Sequence, residues 1–419
     1  MFVVSWFLHI GSRAAVLGVL RLDLVLILLI SALIFFSKPD REFPSTPGST
    51  ERMIKIMFVY LILSLPLVEW PGSVVRAGIP NYVKAVVFYF FTIALVTDES
   101  KLKKFMFVFL SCQAIRVIEP VAMHLTSGYW GSHASMANWE AMDRLSGAPS
   151  DVINPNGLAF VILMVFPFIH YLTSVNWKNK VIYVALSPVL IYALLLTASR
   201  TGFVCLFVIL VGIWWKSKRK LMITVAFVIG TVVALGSLSS DLKDRYLSLV
   251  NTHTKNARTA QGRMTQIKEN IDVGMRHPLT GHGLGTSLEA NAHYGSFGKI
   301  AHNLYCEIFE ELGLIGLVIF LFFIKSVLVN FRESLEVMRS TGDNYRFLNA
   351  LTNGMQVWMA MNIIFSFASF GLSSYEWYLF AGLSVVLKRL CADRIQSVEA
   401  EVEGDDEGIE PAFPDTAQA

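Results

Sequence analysis

The sequence has 419 residues, of which 54% are hydrophobic and only 16% are charged, and its mean hydropathy is +0.53. A soluble globular protein of this length carries more charge, so the composition excludes that class and indicates a protein embedded in a membrane. The formal net charge of +3 is small and does not indicate a nucleic-acid partner.

Apolar stretches recur along nearly the whole chain, and a helix needs about twenty mostly apolar residues to cross a bilayer. We therefore predict an all-α polytopic membrane protein with eleven or twelve transmembrane helices. Residues 2–20 form either the twelfth span or the start of one longer N-terminal helix, because Arg13 interrupts their apolar sequence. The eleven predicted spans are 22–36, 53–69, 83–97, 105–123, 157–174, 181–197, 201–215, 221–238, 303–329, 347–370 and 375–391.

The N-terminal segment lacks an early Lys or Arg and has no small-residue cleavage site before Arg21, so we expect no cleaved signal peptide. The four cysteines are scattered singly and predict neither a disulfide framework nor a zinc site. We expect them to pack between helices. They are Cys112, Cys205, Cys306 and Cys391.

Lys and Arg are concentrated in every second loop, and the positive-inside rule places those loops in the cytoplasm. The short intervening loops carry Arg76, Arg144 and Arg200 singly, or no Lys or Arg at all between Gly371 and Ser374. This alternation places two long segments, 124–156 and 239–302, on the outward face. The predicted organisation is N-terminal membrane helices over 1–238, a large periplasmic loop over 239–302, C-terminal membrane helices over 303–391 and a disordered acidic cytoplasmic tail over 392–419.

The large outward loop contains apolar residues at helical spacing, which predicts an amphipathic helix. The alternative is a helix that only rests on the membrane surface. The stretch from Gly281 to Gly285, GHGLG, is interpreted as a tight, mobile turn where the backbone can approach a ligand. The residues of the predicted apolar stripe are Met264, Ile267, Ile271 and Met275.

Three places on the outward face have residues suited to an anionic ligand. Arg200, within Ser199-Arg200-Thr201-Gly202, opens a helix, whose N-terminus adds backbone donors to the guanidinium. Arg263 follows Gly262 in the amphipathic helix, with Arg276 and His277 near its end. The alternatives are an arginine that reaches the lipid headgroups and an ordinary solvated arginine.

The third place is Ala301-His302-Asn303-Leu304-Tyr305, where Asn303 is the predicted N-cap of a helix. His302 then lies at the mouth of the membrane domain, where it can take a proton or meet a phosphate, although a lone histidine is more often structural. Three glutamates follow in one helical sector, where they either partner arginines or take part in catalysis. They are Glu307, Glu310 and Glu311. Within another span we predict that Arg116 pairs with Glu119.

The outward loops contain no clustered carboxylates and no His or Cys pairs at ligand spacing, so we expect neither a metal nor a cofactor. A transporter or flippase of lipid-linked sugars is the alternative from another functional class. Such a protein would show more ionisable residues inside the spans, and detectable repeats.

Several motifs together resemble the O-antigen ligase and O-antigen polymerase family, and they occur in that family's order. The most specific is AHNLYCEIFEELGLIG, from Ala301 to Gly316. The chain departs from the family at Asn154-Pro155-Asn156-Gly157, where many relatives have an acidic residue, so no carboxylate role is transferred there. The other matching motifs are Ser199-Arg200-Thr201-Gly202, Gly262-Arg263 and RHPLTGHGLG from Arg276 to Gly285.

The resemblance implies a GT-C-like glycosyltransferase of the bacterial inner membrane. It would transfer a glycan from undecaprenyl diphosphate to a sugar hydroxyl at the periplasmic face, without a metal. Arg200 and Arg263 would hold the diphosphate and His302 would be the general base. We also predict that Arg276, His282, Asn303 and Asn156 bind the substrate.

The acceptor is left open by the resemblance. A ligase attaches the glycan to lipid A core, whereas a polymerase attaches it to another lipid-linked repeat, in O-antigen, capsule or exopolysaccharide. A polysaccharide chain-length regulator is a candidate protein partner.

Overall fold

The computed structural model describes residues 1–36, 48–131, 143–225, 228, 257–295, 298, 301–340, 345–369 and 371–406. All regular elements in these ranges are helices, and the protein is an all-α polytopic membrane protein. Five helical segments of this described part are long and apolar enough to cross a membrane. They are Pro71–Leu95, Glu99–Ser127, Pro155–Ser174, Trp177–Thr197 and Leu304–Ser340.

Ten of the eleven predicted spans coincide with a helix, and span 221–238 lies largely outside the described residues. The count of eleven or twelve spans stays a prediction. In chain order the helices after the N-terminal segment are α4 (Leu22–Phe36), α5 (Ser49–Ser64), α6 (Pro71–Ser73), α7 (Ile79–Leu95), α8 (Glu99–Ser127), α9 (Pro155–Tyr171), α10 (Trp177–Thr197), α11 (Arg200–Lys216), α12 (Ala257–Gly274), α13 (Ser287–Tyr294), α14 (Leu304–Ser340), α15 (Arg346–Phe365) and α16 (Tyr375–Asp406).

The N-terminal segment corrects both sequence alternatives, because it is neither one span nor an extension of α4. It folds as three short helices, α1 (Phe2–Phe7), α2 (Ile10–Arg13) and α3 (Ala15–Val19). His9 and Arg21 adopt positive φ angles of 50° and 46°, and this conformation reverses or bends a chain of L-residues. The Ser5 hydroxyl donates to Asp23 at 2.7 Å, so α1 folds back towards α4.

The core lies where the C-terminal helices meet the earlier ones. α16 packs against α7 and α14, and α15 packs against α9 and α11. At the centre Trp358 and Phe380 are fully buried and stack with their ring centroids 3.6 Å apart. Large aromatic rings bury much apolar area and fix the angle between helices, so this contact ties α15 to α16.

The predicted disorder of residues 392–406 is wrong, because the helix α16 continues to Asp406. Residues 392–406 contain three Glu and two Ala, which are strong helix formers. Their acidity therefore does not end the helix. The rest of the predicted disordered tail, 407–419, lies outside the described residues.

α14 is interrupted at Gly313, whose φ of 63° and ψ of −166° are not helical. The interruption leaves backbone groups without a partner in the helix, and the segment 278–283 supplies partners. Leu314 N–H donates to Pro278 O at 2.8 Å, while His282 N–H and Gly283 N–H donate to Glu310 O and Glu311 O. Irregular backbone at membrane depth needs such protein partners.

Candidate functional site

The first part of the candidate site is the start of α9. The side chain of Asn154 caps this helix, because its Oδ1 accepts the Gly157 N–H at 2.8 Å. Pro155 occupies the first helical turn, where its missing N–H costs nothing. This cap fixes Asn156, a predicted substrate-binding residue, in the first turn of the helix.

The second part is the start of α11, which the turn through Ala198 places beside α9. Ser199 is the N-cap residue and its Oγ accepts the Gly202 N–H at 3.1 Å. The Ser199 hydroxyl also donates to Asn156 Oδ1 at 2.8 Å. The predicted helix start at Arg200 is confirmed, and Arg200 and Asn156 share one polar cluster.

Arg144 joins this cluster, although the sequence indicated only that it was a single arginine in an outward loop. It is 2% exposed, and its guanidinium donates from Nε to Thr197 O at 2.9 Å and from Nη2 to Asn156 Oδ1 at 3.0 Å. Burial and the positive charge of Arg144 both lower the pKa of Arg200. Two guanidinium groups therefore lie within electrostatic range of each other at a helix N-terminus, an arrangement that an anion stabilises.

A buried ion pair between Arg116 and Asp151 anchors the loop that carries Arg144. Arg116 donates from Nε to Asp151 Oδ2 at 2.6 Å, and His9 Nε2 lies 3.1 Å from Asp151 Oδ1. Burial raises the pKa of Asp151, but the hydrogen bonds and charges of these neighbours lower it below its usual value overall. The predicted pairing of Arg116 with Glu119 is wrong, since Glu119 accepts hydrogen bonds from Arg13 instead.

The third part is the start of α14. Asn303 Oδ1 accepts the N–H groups of Tyr305 at 3.0 Å and Cys306 at 3.2 Å, so the predicted N-cap is confirmed. His302 is exposed and lies one residue before this cap. The side-chain oxygen of Asn303 is engaged in the cap, and so its role here is to fix the place of His302.

The three glutamates of α14 are buried, and their carboxylates hold loops. Glu311 accepts the N–H groups of Gly285 at 2.8 Å and Ser287 at 3.2 Å. Glu307 accepts the Gly371 N–H at 2.6 Å, and Glu310 accepts the Ser287 hydroxyl at 3.4 Å. These hydrogen bonds position Gly285, Ser287 and Gly371 on α14.

The structure changes the interpretation of the GHGLG turn. It is packed tightly, since a Cβ atom on Gly281 would lie 2.3 Å from the backbone of Glu311. His282 is fully buried, and its Nδ1 and Nε2 atoms lie 2.9 Å from Glu69 Oε2 and 3.0 Å from Val273 O. Both ring nitrogens are engaged inside the protein, so the geometry argues against direct contact of His282 with a substrate.

The amphipathic helix of the large loop exists as α12, but its buried face differs from the predicted one. Val273 and Asn270 are buried where α12 packs on α14. The predicted apolar residues Met264, Ile271 and Met275 are 59%, 43% and 60% exposed. An exposed apolar stripe on a helix next to membrane helices fits the alternative of contact with the membrane surface.

The two predicted cationic residues of this loop have different surroundings. Arg263 is half-buried on α12, which packs against the helix that follows His302. Arg276 is exposed, and its guanidinium carbon lies 4.5 Å above the centre of the Tyr294 ring. Such cation–π contact fixes the side chain while leaving its donors accessible.

A family model described as O-Antigen ligase matches residues 184–321. This region is an O-antigen ligase family domain. No curated protein matches the chain. The match covers 138 of the 419 residues, and it confirms the resemblance of this region to the O-antigen ligase and polymerase family.

The O-antigen ligase family region contains Arg200, Arg263 and the capped start of α14 with His302. Arg144 and Asn156 lie before it in the chain, yet they contact the residues at the start of α11. The cluster therefore joins residues inside and outside the matched region. Arg144 could have been recognised by its isolation. It is the only Lys or Arg in its predicted loop, and the positive-inside rule does not account for an arginine in a predicted outward loop.

Proposed function

We propose that the protein transfers a glycan from undecaprenyl diphosphate to an acceptor sugar hydroxyl at the periplasmic face of the bacterial inner membrane. The observation that carries the proposal is the convergence of Arg144 and Arg200 at the N-terminus of α11. A diphosphate bound beside these two guanidinium groups would accept charge-assisted hydrogen bonds from both of them. The O-antigen ligase family match supports the reaction class.

In the proposed step the acceptor oxygen attacks the anomeric carbon, and the bond from that carbon to the diphosphate oxygen breaks. The acceptor proton passes to His302, and the leaving diphosphate keeps the electron pair. Arg200, with Arg144 and Arg263, stabilises the charge that develops on the leaving group. The transfer step uses no metal ion, since the guanidinium groups supply the positive charge that a metal ion supplies in other transferases.

The other predicted substrate residues have separate parts in this proposal. Asn156 holds Arg144 and Ser199 in place through its Oδ1. Arg276 offers its exposed donors to a phosphate or a sugar. The membrane helices provide the apolar surface for the polyprenyl chain. A chain-length regulator stays a candidate partner.

The test is turnover of purified protein with a synthetic undecaprenyl-diphosphate glycan and either lipid A core or a second lipid-linked repeat as acceptor. Arg200→Lys and Arg144→Lys should each lose about a hundredfold or more of kcat, because a point charge does not replace a planar fork of donors. Arg76→Lys, at an exposed arginine, is the matched control and should keep full activity.

The outcomes separate the alternatives. Equal activity of Arg200→Lys, Arg144→Lys and the control would remove the diphosphate role of the cluster. Absence of any glycan product from the purified wild type with both acceptors would favour a flippase. In cells, loss of a ligase leaves long glycans on the lipid carrier, whereas loss of a polymerase leaves single repeats.

A further inference from the structure

A cluster of metal-ligating side chains lies away from the arginine cluster. Glu69 follows α5, while His277 and His282 belong to the segment between α12 and α13. One carboxylate oxygen and two imidazole nitrogens from these residues lie within 4.8 Å of one another. Glu69 Oε2 is 2.9 Å from His282 Nδ1 and 3.8 Å from His277 Nε2.

The hydrogen bonding of His282 indicates that a cation belongs in this cluster. Its Nε2 lies 3.0 Å from Val273 O, and a carbonyl oxygen only accepts, so Nε2 carries a hydrogen. In a neutral imidazole the lone pair is then on Nδ1, where it faces a carboxylate oxygen at 2.9 Å. Two lone pairs at this distance repel unless a proton or a metal ion lies between them.

The same geometry is usual for a histidine that binds a metal. Such a histidine generally donates its other ring N–H to a backbone carbonyl or carboxylate, which fixes the tautomer and the ring orientation. Here Val273 O takes that hydrogen, and Nδ1 is left for the ion. The Tyr294 hydroxyl donates to the second carboxylate oxygen of Glu69, which orients the carboxylate in the same way.

We propose that Glu69, His277 and His282 bind a divalent transition-metal ion of the Zn²⁺ class. Zinc takes two histidines and one glutamate at about 2.0–2.2 Å, which separates tetrahedral ligand atoms by about 3.3–3.6 Å. The observed separations of 2.9 and 3.8 Å bracket that range. Imidazole ligands favour zinc and its neighbours over Mg²⁺ or Ca²⁺.

The three ligands differ in exposure, so the ion would have one rigid buried ligand and an open side through which it can enter. His282 is fully buried, whereas His277 is 38% exposed and Glu69 is 24% exposed. A water molecule can complete the coordination on the open side. The ion would tie the segment 277–282 to the end of α5. It would be a structural clamp, and its three ligands take no direct part in the proposed glycosyl transfer.

Sequence spacing within the outward loops does not reveal this set of ligands. The carboxylate comes from Glu69, which lies 213 positions before His282 and at the end of a predicted span. A search for ligands close together in the sequence therefore misses it, and no metal was expected. The three ligands also include none of the residues proposed for the transfer step.

The test measures metal directly. Purified full-length protein is stripped with a chelator, then titrated with ZnCl₂, and bound metal is counted by mass spectrometry after dialysis. The wild type should bind one Zn²⁺ per chain, and Co²⁺ in its place should give the visible absorption of a tetrahedral site. His277→Gln and Glu69→Gln should weaken Zn²⁺ binding at least tenfold, whereas His293→Gln, at an exposed neighbour, should bind as the wild type does.

Folding of the variants is checked by their thermal midpoint in EDTA, where His277→Gln should match the metal-free wild type. Zn²⁺ should raise the midpoint of the wild type and of His293→Gln only, because an ion that binds the folded state alone stabilises it. No Zn²⁺ retained by the wild type, or equal retention by His277→Gln and Glu69→Gln, would overturn the proposal. Glu69, His277 and His282 would then be a hydrogen-bonded cluster that holds no metal ion.

Discussion

Gly313 offers a sharp test of how the segment 278–283 docks on α14. In Gly313→Ala the new Cβ atom would lie 2.3 Å from the backbone of Leu279, far inside contact distance. The φ and ψ angles of Gly313 also lie in a region that is almost exclusive to glycine, which costs about 1–3 kcal/mol for another residue. Displacement of Leu279 would further strain the docked hydrogen bonds, each worth about 0.5–1.5 kcal/mol.

We therefore expect Gly313→Ala to destabilise the folded protein by about 3 kcal/mol or more. The matched control is Gly128→Ala, since Gly128 has a φ of 68° but a Cβ atom added there would meet no other atom within 4 Å. The control carries only the backbone cost, about 1–2 kcal/mol. Both are measured as the free energy of unfolding in detergent. Equal losses for the two variants would show that contact with Leu279 does not hold the segment on α14.

Three further predictions concern acidity, catalysis and orientation. Because the pKa of Asp151 is lowered in the folded state, its ion pair with Arg116 stabilises the protein above about pH 4, and this stabilisation is lost as the pH falls further. Asp151→Asn should therefore be less stable than the wild type at pH 7 and should lose less stability on acidification. The same loss of stability on acidification in both proteins would contradict this prediction. His302→Ala should lose about a hundredfold to ten-thousandfold of turnover while donor binding persists; lost donor affinity would make it a phosphate contact. Reporter fusions after Ser287 and Ala400 should be active in the periplasm and the cytoplasm respectively, and the reverse would invert the topology.

The sequence predicted the positions of the helices well, because apolar length is a local property. Helix starts were equally readable where a capping side chain precedes the helix, as at Ser199 and Asn303. The sequence did not predict which face of α12 packs against protein, since the apolar spacing at Met264 and Ile271 does not distinguish a face covered by protein from one covered by lipid. Periodicity identifies an amphipathic helix but not its neighbour.

The candidate site was only partly predictable for the same reason. Arg200 was recognisable because it begins a helix between two apolar segments. Arg144 and Glu69 were missed, because each meets its partners through the fold and not through sequence spacing. The sequence indicates the GHGLG turn, but it does not indicate that the turn docks at Gly313. A glycine in an apolar run does not by itself reveal that another segment fills the break in its helix.

The contacts of α14 bear on how His302 is held. The cap from Asn303, the bond from Gly371 to Glu307 and the bonds from Gly285 and Ser287 to Glu311 all fall within the first three turns of the helix. Helix ends ordinarily fray because their first amide groups lack partners. Here the amides are capped and the acidic side chains are tied to two other segments, so unwinding the end would break contacts in several places at once. His302 therefore lies next to a fixed helix end, and such preorganisation fits the general-base role that we propose for it.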